Sequence, residues 1–555
     1  MGAMDLSHLS AQEAAIEGGS TVVHGSASER VVRLYEAIRA FGPPRVALDR
    51  GALFTESFKE TEGQPLVLRW AKALHRFVEK VPVAIFPDEL IVGRPNTWLG
   101  RWAIVYPELD GSIMPAGVEM FRGLHGKPGE VAVTDDDARV INEVLTPYWS
   151  GKDYATNYLR ALPEDTRYLI MGPDPNNLLL YTCVVVATSP MRHSQNWTPD
   201  FTKILTRGVK GIREEAQARL DGLAEPRDVV YRKAFLEAVI LTCDAMTLWA
   251  KRYAARAREL ASSEADARRK AELLEIADVC EWVPENPART FREAIQAQWW
   301  GQVFNRIEQT SSAMGQGRMD QYLLPYYRKD LAEGRITKES AIELFHCLWL
   351  SMSQVTEIKL NPVAAAGTEG FSQFSDVCVG GQTPDGRDAT NELSYLILES
   401  MRGLQITSPD PCVRIHAGTP DAFLHHVVEC IKDGKGYPKL LNDEMVIPFY
   451  LANGASMKEA LDWNISGCCE NRLPNRETNV TAGGGVNYGS ITEMTFRDGR
   501  LKVLKDLQFG LRTGDPRNWT SFDQVWAAFR SQLEHLAHHV LVQQYVAMRL
   551  KGSYF

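Results

Sequence analysis

The sequence predicts an α/β fold in which short buried strands are wrapped by many helices. Three observations point there. Residues 1–85 and 135–282 repeat apolar residues at helical spacing. Residues 374–442 alternate strand-like and helix-like segments, the pattern of parallel strands joined by helices. A composition of 45% hydrophobic and 24% charged residues over 555 positions can fill a large core. This length suits either several domains or a single closed α/β barrel. The expected division is an N-terminal helical region, 1–85, followed by a core, 86–555.

The elements follow in order. Ser26-Ala-Ser-Glu29 has the form of a capping box, and Val31, Val32, Tyr35 and Ile38 continue it at helical spacing. Residues 86–110 change character: glycine and proline in Ile91-Val-Gly-Arg-Pro-Asn96 and Tyr106-Pro-Glu-Leu-Asp110 predict loops and strand ends. The apolar run 178–187 is expected to be buried. Residues 201–216 predict an amphipathic helix whose Gly208 and Gly211 mark a close approach of backbone, since each glycine costs about 1 kcal/mol against alanine. One or two long helices should fill 223–282. Trp299 and Trp300 are expected in the core, and a helix over 337–353 is apolar on most faces, as when both sides are packed. Phe374-Ser-Asp-Val-Cys-Val-Gly-Gly381 is a strand ending in a glycine turn. Cys412 to His416 alternates, with Val413 and Ile415 on one face and Cys412, Arg414 and His416 on the other. Helices are expected over 389–401, 421–432 and 456–461.

Several function classes are disfavoured. A net charge of -9 gives no basic face for nucleic acid. The N-terminal residues lack the basic and apolar regions of a secretory signal, and no charge-free run reaches about 18 residues. Nine cysteines without a CxxC spacing favour a reducing, cytoplasmic setting. There is no GxGxxG after a strand, no GxxxxGK[ST] and no HExxH. His535, His538 and His539 share a helix face but bring no acidic or thiol ligand at motif spacing, so no metal is expected.

The chemistry concentrates in the loop 462–477, at Gly467-Cys468-Cys469-Glu470. A thiol near pKa 8.5 is a small fraction thiolate at neutral pH, and an ionic nucleophile wants a cationic or histidine partner. Glu470 disfavours the thiolate. The same pair suits a thiyl radical that takes a hydrogen atom while the carboxylate moves a proton. Structural cysteines in a turn are the plainer alternative.

Around this loop the sequence resembles the glycyl radical enzyme family, the pyruvate formate-lyase-like superfamily, in its lyase branch of dehydratases and decarboxylases. The resemblance runs over roughly residues 80–550. It rests on Gly467-Cys468-Cys469-Glu470 and on Pro199-Asp-Phe-Thr-Lys-Ile-Leu, Gly317-Arg-Met-Asp-Gln-Tyr-Leu, Gly380-Gly381, Asp388-Ala-Thr-Asn-Glu-Leu393, Val413-Arg-Ile-His416, Asn442-Asp-Glu444 and Thr513-Gly-Asp-Pro516. It implies a barrel of two five-stranded halves wrapped in helices, with the cysteine on a finger loop inside. In this chain that barrel is expected to be incomplete, its first half plus the finger loop. The resemblance further implies Cys468 as the thiyl site and Glu470 as general acid or base. It implies no cofactor bound directly; a glycine radical is installed by a separate radical S-adenosylmethionine activase.

The sequence departs from that family in three places. Its last residues, Arg549-Leu-Lys-Gly-Ser-Tyr-Phe555, give Gly552 a poor glycyl-radical context. The expectation is a glycyl radical on a partner subunit; a truncated product and a relative without radical chemistry are the alternatives. Cys469 stands where the lyase branch has a small aliphatic residue; it is either a radical relay or a small buried hydrophobe. Gln195-Asn196 replaces the Gly-His of many relatives. Arg94, His193, Asn196, Trp197, Arg414 and Cys469 are the candidate substrate contacts, for a small polar or carboxylated molecule. Partners implied are that substrate, the activase, a glycyl-bearing subunit and further copies in an oligomer. The rival functions are a non-catalytic binding or scaffold subunit, a thiol-nucleophile transferase or hydrolase, and a radical enzyme that forms or cleaves C–C bonds.

Overall fold

A helix buried on nearly every side, Phe291–Glu308, organises the interior. Several of its polar side chains are accommodated by specific neighbours. Gln296 accepts from Val92 N at 3.0 Å and donates to Val92 O at 2.8 Å. Trp299 Nε1 donates to Gly93 O at 3.0 Å, and Gln302 donates to Ser375 Oγ at 2.9 Å. Trp300 packs against Trp249 and Tyr253, with ring centroids 5.2 and 5.3 Å away. Both tryptophans are core residues. The computed structural model describes residues 27–127, 129–171, 186–187, 195–308, 313–358, 374–477, 479–480 and 485–551.

Around this helix the periodic segments fold largely where their patterns place them. Glu29–Ala40 is a helix whose cap, Ser28, accepts from Val31 N. Asp49–Glu60 and Leu66–Lys80 follow it. Pro107–Asp110 is a short helix instead of the expected loop, because Pro107 sits in its first turn, where no N–H is needed. Pro226–Ser263 and Ala267–Trp282 occupy the long helical stretch, and Lys338–Ser353 is capped by Thr337 and buried on most faces. Of the apolar run 178–187, only the last two residues are described, the strand Val186–Ala187.

Gly208 shows how close packing breaks a helical pattern. The segment Phe201–Asp221 is two helices merged across this residue, which has φ 64° and ψ 168°. A Cβ there would lie 2.2 Å from Glu285 O. Val209 and Lys210 donate instead to Pro284 O and Glu285 O, at 2.8 and 3.0 Å.

Asp376–Gly380, Asp410–Ile415 and Lys439–Asn442 form a three-stranded parallel sheet in chain order. Helices Glu392–Arg402 and Asp421–Lys432 connect its strands. The alternation in the middle strand is as the sequence predicts: Val413 joins the main core, while Cys412 and Arg414 face the other way, toward the Cys468 loop. Two further three-stranded sheets and three two-stranded ones complete the strands described.

The expected barrel does not form. Among the described residues no sheet closes on itself, and the widest has three strands. The fold is a mostly helical α/β arrangement with small open sheets. The physical reason lies at the strand edges. The 313–318 stretch meets the Phe374–Gly380 segment through the isolated bridges Ala313↔Phe374 and Arg318↔Cys378 and through backbone bonds such as Gln316 N to Asp376 O at 2.7 Å and Cys378 N to Gly317 O at 3.0 Å, without joining its sheet. Side chains take over where a ladder would continue: Asp320 accepts from Gly380 N at 2.8 Å, and Arg318 donates to Gly380 O at 2.9 Å. The far strand of the sheet, Lys439–Asn442, is an edge with Leu440 half exposed. Among the described residues no helix is long and apolar enough to cross a membrane.

Candidate active site

The Cys468 loop is the turn of a short hairpin. Asn464–Ile465 pairs antiparallel with Asn471–Arg472, and Ser466 N donates to Glu470 O at 3.0 Å. Gly467 turns the chain with φ 112°. A Cβ at this position would stand 2.4 Å from Glu470 Oε2 and 2.8 Å from Asn196 Nδ2, and the positive φ favours glycine.

Two sheets hold the foot of this loop. Ser466 Oγ donates to Trp197 O and accepts from Gly315 N, both at 3.0 Å. Thr198 Oγ1 donates to Asn464 Oδ1 at 2.6 Å. Ile465 packs on Cys378 and Cys412 of the parallel sheet. From that sheet Asp376 accepts from Gly467 N at 2.5 Å, and Lys439 donates to Gly467 O at 3.2 Å. The same ammonium lies 3.4 Å from Asp376 Oδ1 and 2.6 Å from Asp410 Oδ2.

At the tip, Cys468 and Cys469 are exposed. Glu470 is oriented by two donors: Asn196 Nδ2 to Oε1 at 3.0 Å, and Cys469 N to Oε2 at 2.9 Å. The Cys468 thiol is raised above its ordinary value, first by partial burial and then by the charge of Glu470, with Lys439 opposing. Near neutral pH the sulfur therefore carries its hydrogen. That is the state a hydrogen-atom donor needs and the wrong state for an ionic nucleophile. Burial pushes Asp376 up to about 7, although Lys439 and the Gly467 N–H pull it down. Burial acts to lower Lys439, but Cys412, Asp376 and Asp410 outweigh it and hold the amine above its usual range.

The other sequence candidates fall in different places. Asn196 and Trp197 lie in the strand Gln195–Trp197 beside the loop. Asn196 Oδ1 and Trp197 Nε1 are buried atoms without a hydrogen-bond partner among the described residues. Arg414 is wholly buried and supports the chain entering the loop. It pairs with Asp443 through Nε at 2.6 Å and Nη2 at 2.9 Å, and its Nη1 donates to Leu461 O and Trp463 O at 3.0 and 2.8 Å. Arg94 is buried in a pair with Glu89, with Trp98 O and Gln354 Oε1 each 3.0 Å from Nη1. Burial lowers its pKa to about 10. His193 lies outside the described residues. Asp376, Lys439 and Ser466 were not singled out from the sequence. A lone aspartate inside the apolar run of the 374–381 strand was the available signal. Beside the foot of the loop a cavity of about 390 Å³ is lined by residues including Thr198, Phe201, Arg318, Tyr322 and Asp462, and by neither Cys468 nor Glu470.

The pyruvate formate lyase-like family model matches residues 26–555. The chain belongs to this family. Within it the similarity is to lyases and dehydratases. The isethionate sulfite-lyase of Oleidesulfovibrio alaskensis is 44% identical over 515 residues, covering 92% of this chain and 62% of that protein. Among solved structures, a 1,2-propanediol dehydration enzyme of Roseburia inulinivorans superposes with a TM-score of 0.84 at 31% identity, covering 94% of this chain and 63% of the other. The B12-independent glycerol dehydratase of Clostridium butyricum gives 0.83 at 30% identity, covering 94% and 64%. The chain thus spans less than two thirds of the length of these relatives.

Two outcomes follow from the geometry. Arg414→Met leaves Asp443 charged and unpaired in the interior, and should cost about 3–5 kcal/mol in urea unfolding. Asp376 has its folded pKa raised from 3.8 to about 7, so the folded chain holds this proton more tightly than the unfolded chain. Its contribution to stability is greatest below the lower value, declines as pH rises through that window and is lost above it. Asp376→Asn should therefore show a shallower fall in urea midpoint between about pH 5 and about pH 7.5 than the parent; equal slopes would contradict this.

Proposed function

We propose that this chain is the catalytic core of a glycyl-radical-type lyase that cleaves a small hydroxyalkyl sulfonate. The arrangement that carries the reading is Cys468, a protonated exposed thiol, next to Glu470, whose carboxylate is oriented by Asn196 and the Cys469 N–H. The substrate class is supported by four relatives, all isethionate sulfite-lyases, at 41–45% identity, against 29–31% for the dehydratases and the decarboxylase.

A glycine radical, installed by a radical S-adenosylmethionine activase and carried on polypeptide outside the described residues or on a partner subunit, would supply the unpaired electron. The residues of this chain then divide the work. With its own hydrogen given up to that glycine radical, the Cys468 sulfur would be a thiyl radical, and it removes a hydrogen atom from the carbon bearing the hydroxyl. Glu470 accepts the hydroxyl proton, which makes that carbon radical electron-rich. The neighbouring C–S bond breaks with its electron pair leaving on sulfite, and the carbonyl forms. The remaining carbon radical retakes the hydrogen from the Cys468 thiol. Asn196 keeps the carboxylate aimed, and the surrounding elements orient the reactants.

The test is anaerobic activation of the assembled protein with isethionate, measuring sulfite release. Cys468→Ala should abolish turnover. Glu470→Gln should lower kcat by about 100-fold or more, the scale of a lost general base. Turnover of glycerol or 1,2-propanediol without sulfite release from isethionate would move the assignment to dehydration. Turnover that survives Cys468→Ala would eliminate the radical reading.

A further inference from the structure

We propose that Asp376 and Lys439 are positioning residues that clamp the backbone of Gly467 by its N–H and its C=O, and so hold the Cys468 sulfur in place for hydrogen transfer. The inference rests on Cys468 being the reacting atom. It goes further in assigning the parallel sheet a direct role at the loop.

The residue preceding the reactive cysteine is the weak point of the turn. Gly467 has no side chain to anchor it and has access to more backbone states than any other residue type. Its two polar groups are both engaged by the sheet: the N–H by Asp376 at 2.5 Å, the C=O by Lys439 at 3.2 Å. These two side chains and Asp410, which pairs with Lys439, come from three adjacent parallel strands. Asp376 and Asp410 are direct neighbours in register, and Lys439 pairs with Cys412. Lys439 reaches back over that register to touch both carboxylates, at 3.4 and 2.6 Å. Asp376 is fully buried. A carboxylate without water needs nearby donors, and the Gly467 N–H is one of them. Freeing that N–H would leave the carboxylate less well satisfied, so the clamp resists local opening. An error of about 1 Å in a reacting group can cost about 100-fold in rate, which is the scale of what a loose Gly467 would lose.

The clamp also places opposite charges near the sulfur. Lys439 favours the thiolate of Cys468, whereas Asp376 disfavours it. This difference allows a test without turnover. The 555-residue chain carrying Cys469→Ser is alkylated with iodoacetamide across about pH 7–10, and modification of Cys468 is followed by peptide mass spectrometry. Lys439→Met should move the midpoint up by about half a pH unit, slowing alkylation about threefold below the midpoint. Asp376→Asn should move it down by a similar amount. Lys439→Arg should restore the parental profile. A merely structural change would alter rates at every pH together and would not shift the midpoint in opposite directions. In the activated enzyme, Lys439→Met should lower kcat about tenfold or more with KM within about twofold, and Lys439→Arg should recover most of it. Unshifted midpoints, shifts of the same sign in both variants, or an unchanged kcat would each overturn the clamp. Opposite midpoint shifts in a protein that never turns over isethionate would leave the alkylation evidence for the clamp standing and remove the proposed reaction instead.

Discussion

The buried pair of Arg414 and Asp443 is the constraint on which the loop geometry depends. Neither side chain reaches solvent. A pair of this kind gains little from charge alone, because taking two ions out of water costs about as much as their attraction returns. Its value here is directional. The guanidinium collects the carbonyls of Leu461 and Trp463, and the Trp463 indole donates to Asp443 at 3.0 Å. The last residues before the hairpin therefore have one way to lie. The foot, the Gly467 peptide and the Glu470 carboxylate are built outward from that point.

Electrostatics around the loop then set the protonation of its side chains. An exposed cysteine beside a carboxylate is held in its hydrogen-bearing form, and a cation at Lys439 only partly offsets this. The carboxylate is aimed by neutral donors, the Asn196 amide and a backbone N–H. A carboxylate thus stands beside a protonated thiol, and the two form no ion pair.

Much of this was legible in the sequence, where local signals decide the outcome. The strand–helix–strand rhythm over 374–442 predicts the parallel sheet because alternation and capping are local. The twin glycines at 208 and 211 mark a packed helix, and Gly208 does meet a neighbouring backbone. The Cys468-Cys469-Glu470 cluster marks the loop. Sheet closure is different: it is decided by which distant edges meet, and here the 313–318 stretch touches the Asp376–Gly380 strand through isolated bridges without joining its sheet. What a side chain meets on its face was equally hidden. Nothing local told Arg414, tied to Asp443, from Asn196, which faces Glu470. Asp376 passed as part of an apolar strand because its partner, Gly467, is remote in sequence.

Gly467 bears on how such a site can change over generations. Any side chain there would collide with the carboxylate of residue 470 and the amide of residue 196. A side chain at 467 would therefore require the carboxylate and the amide to move. The turn, the Glu470 carboxylate and its orienting amide are packed as one unit, while Cys469 is exposed. Diversification of substrate would then proceed through the walls around this unit and leave its geometry intact.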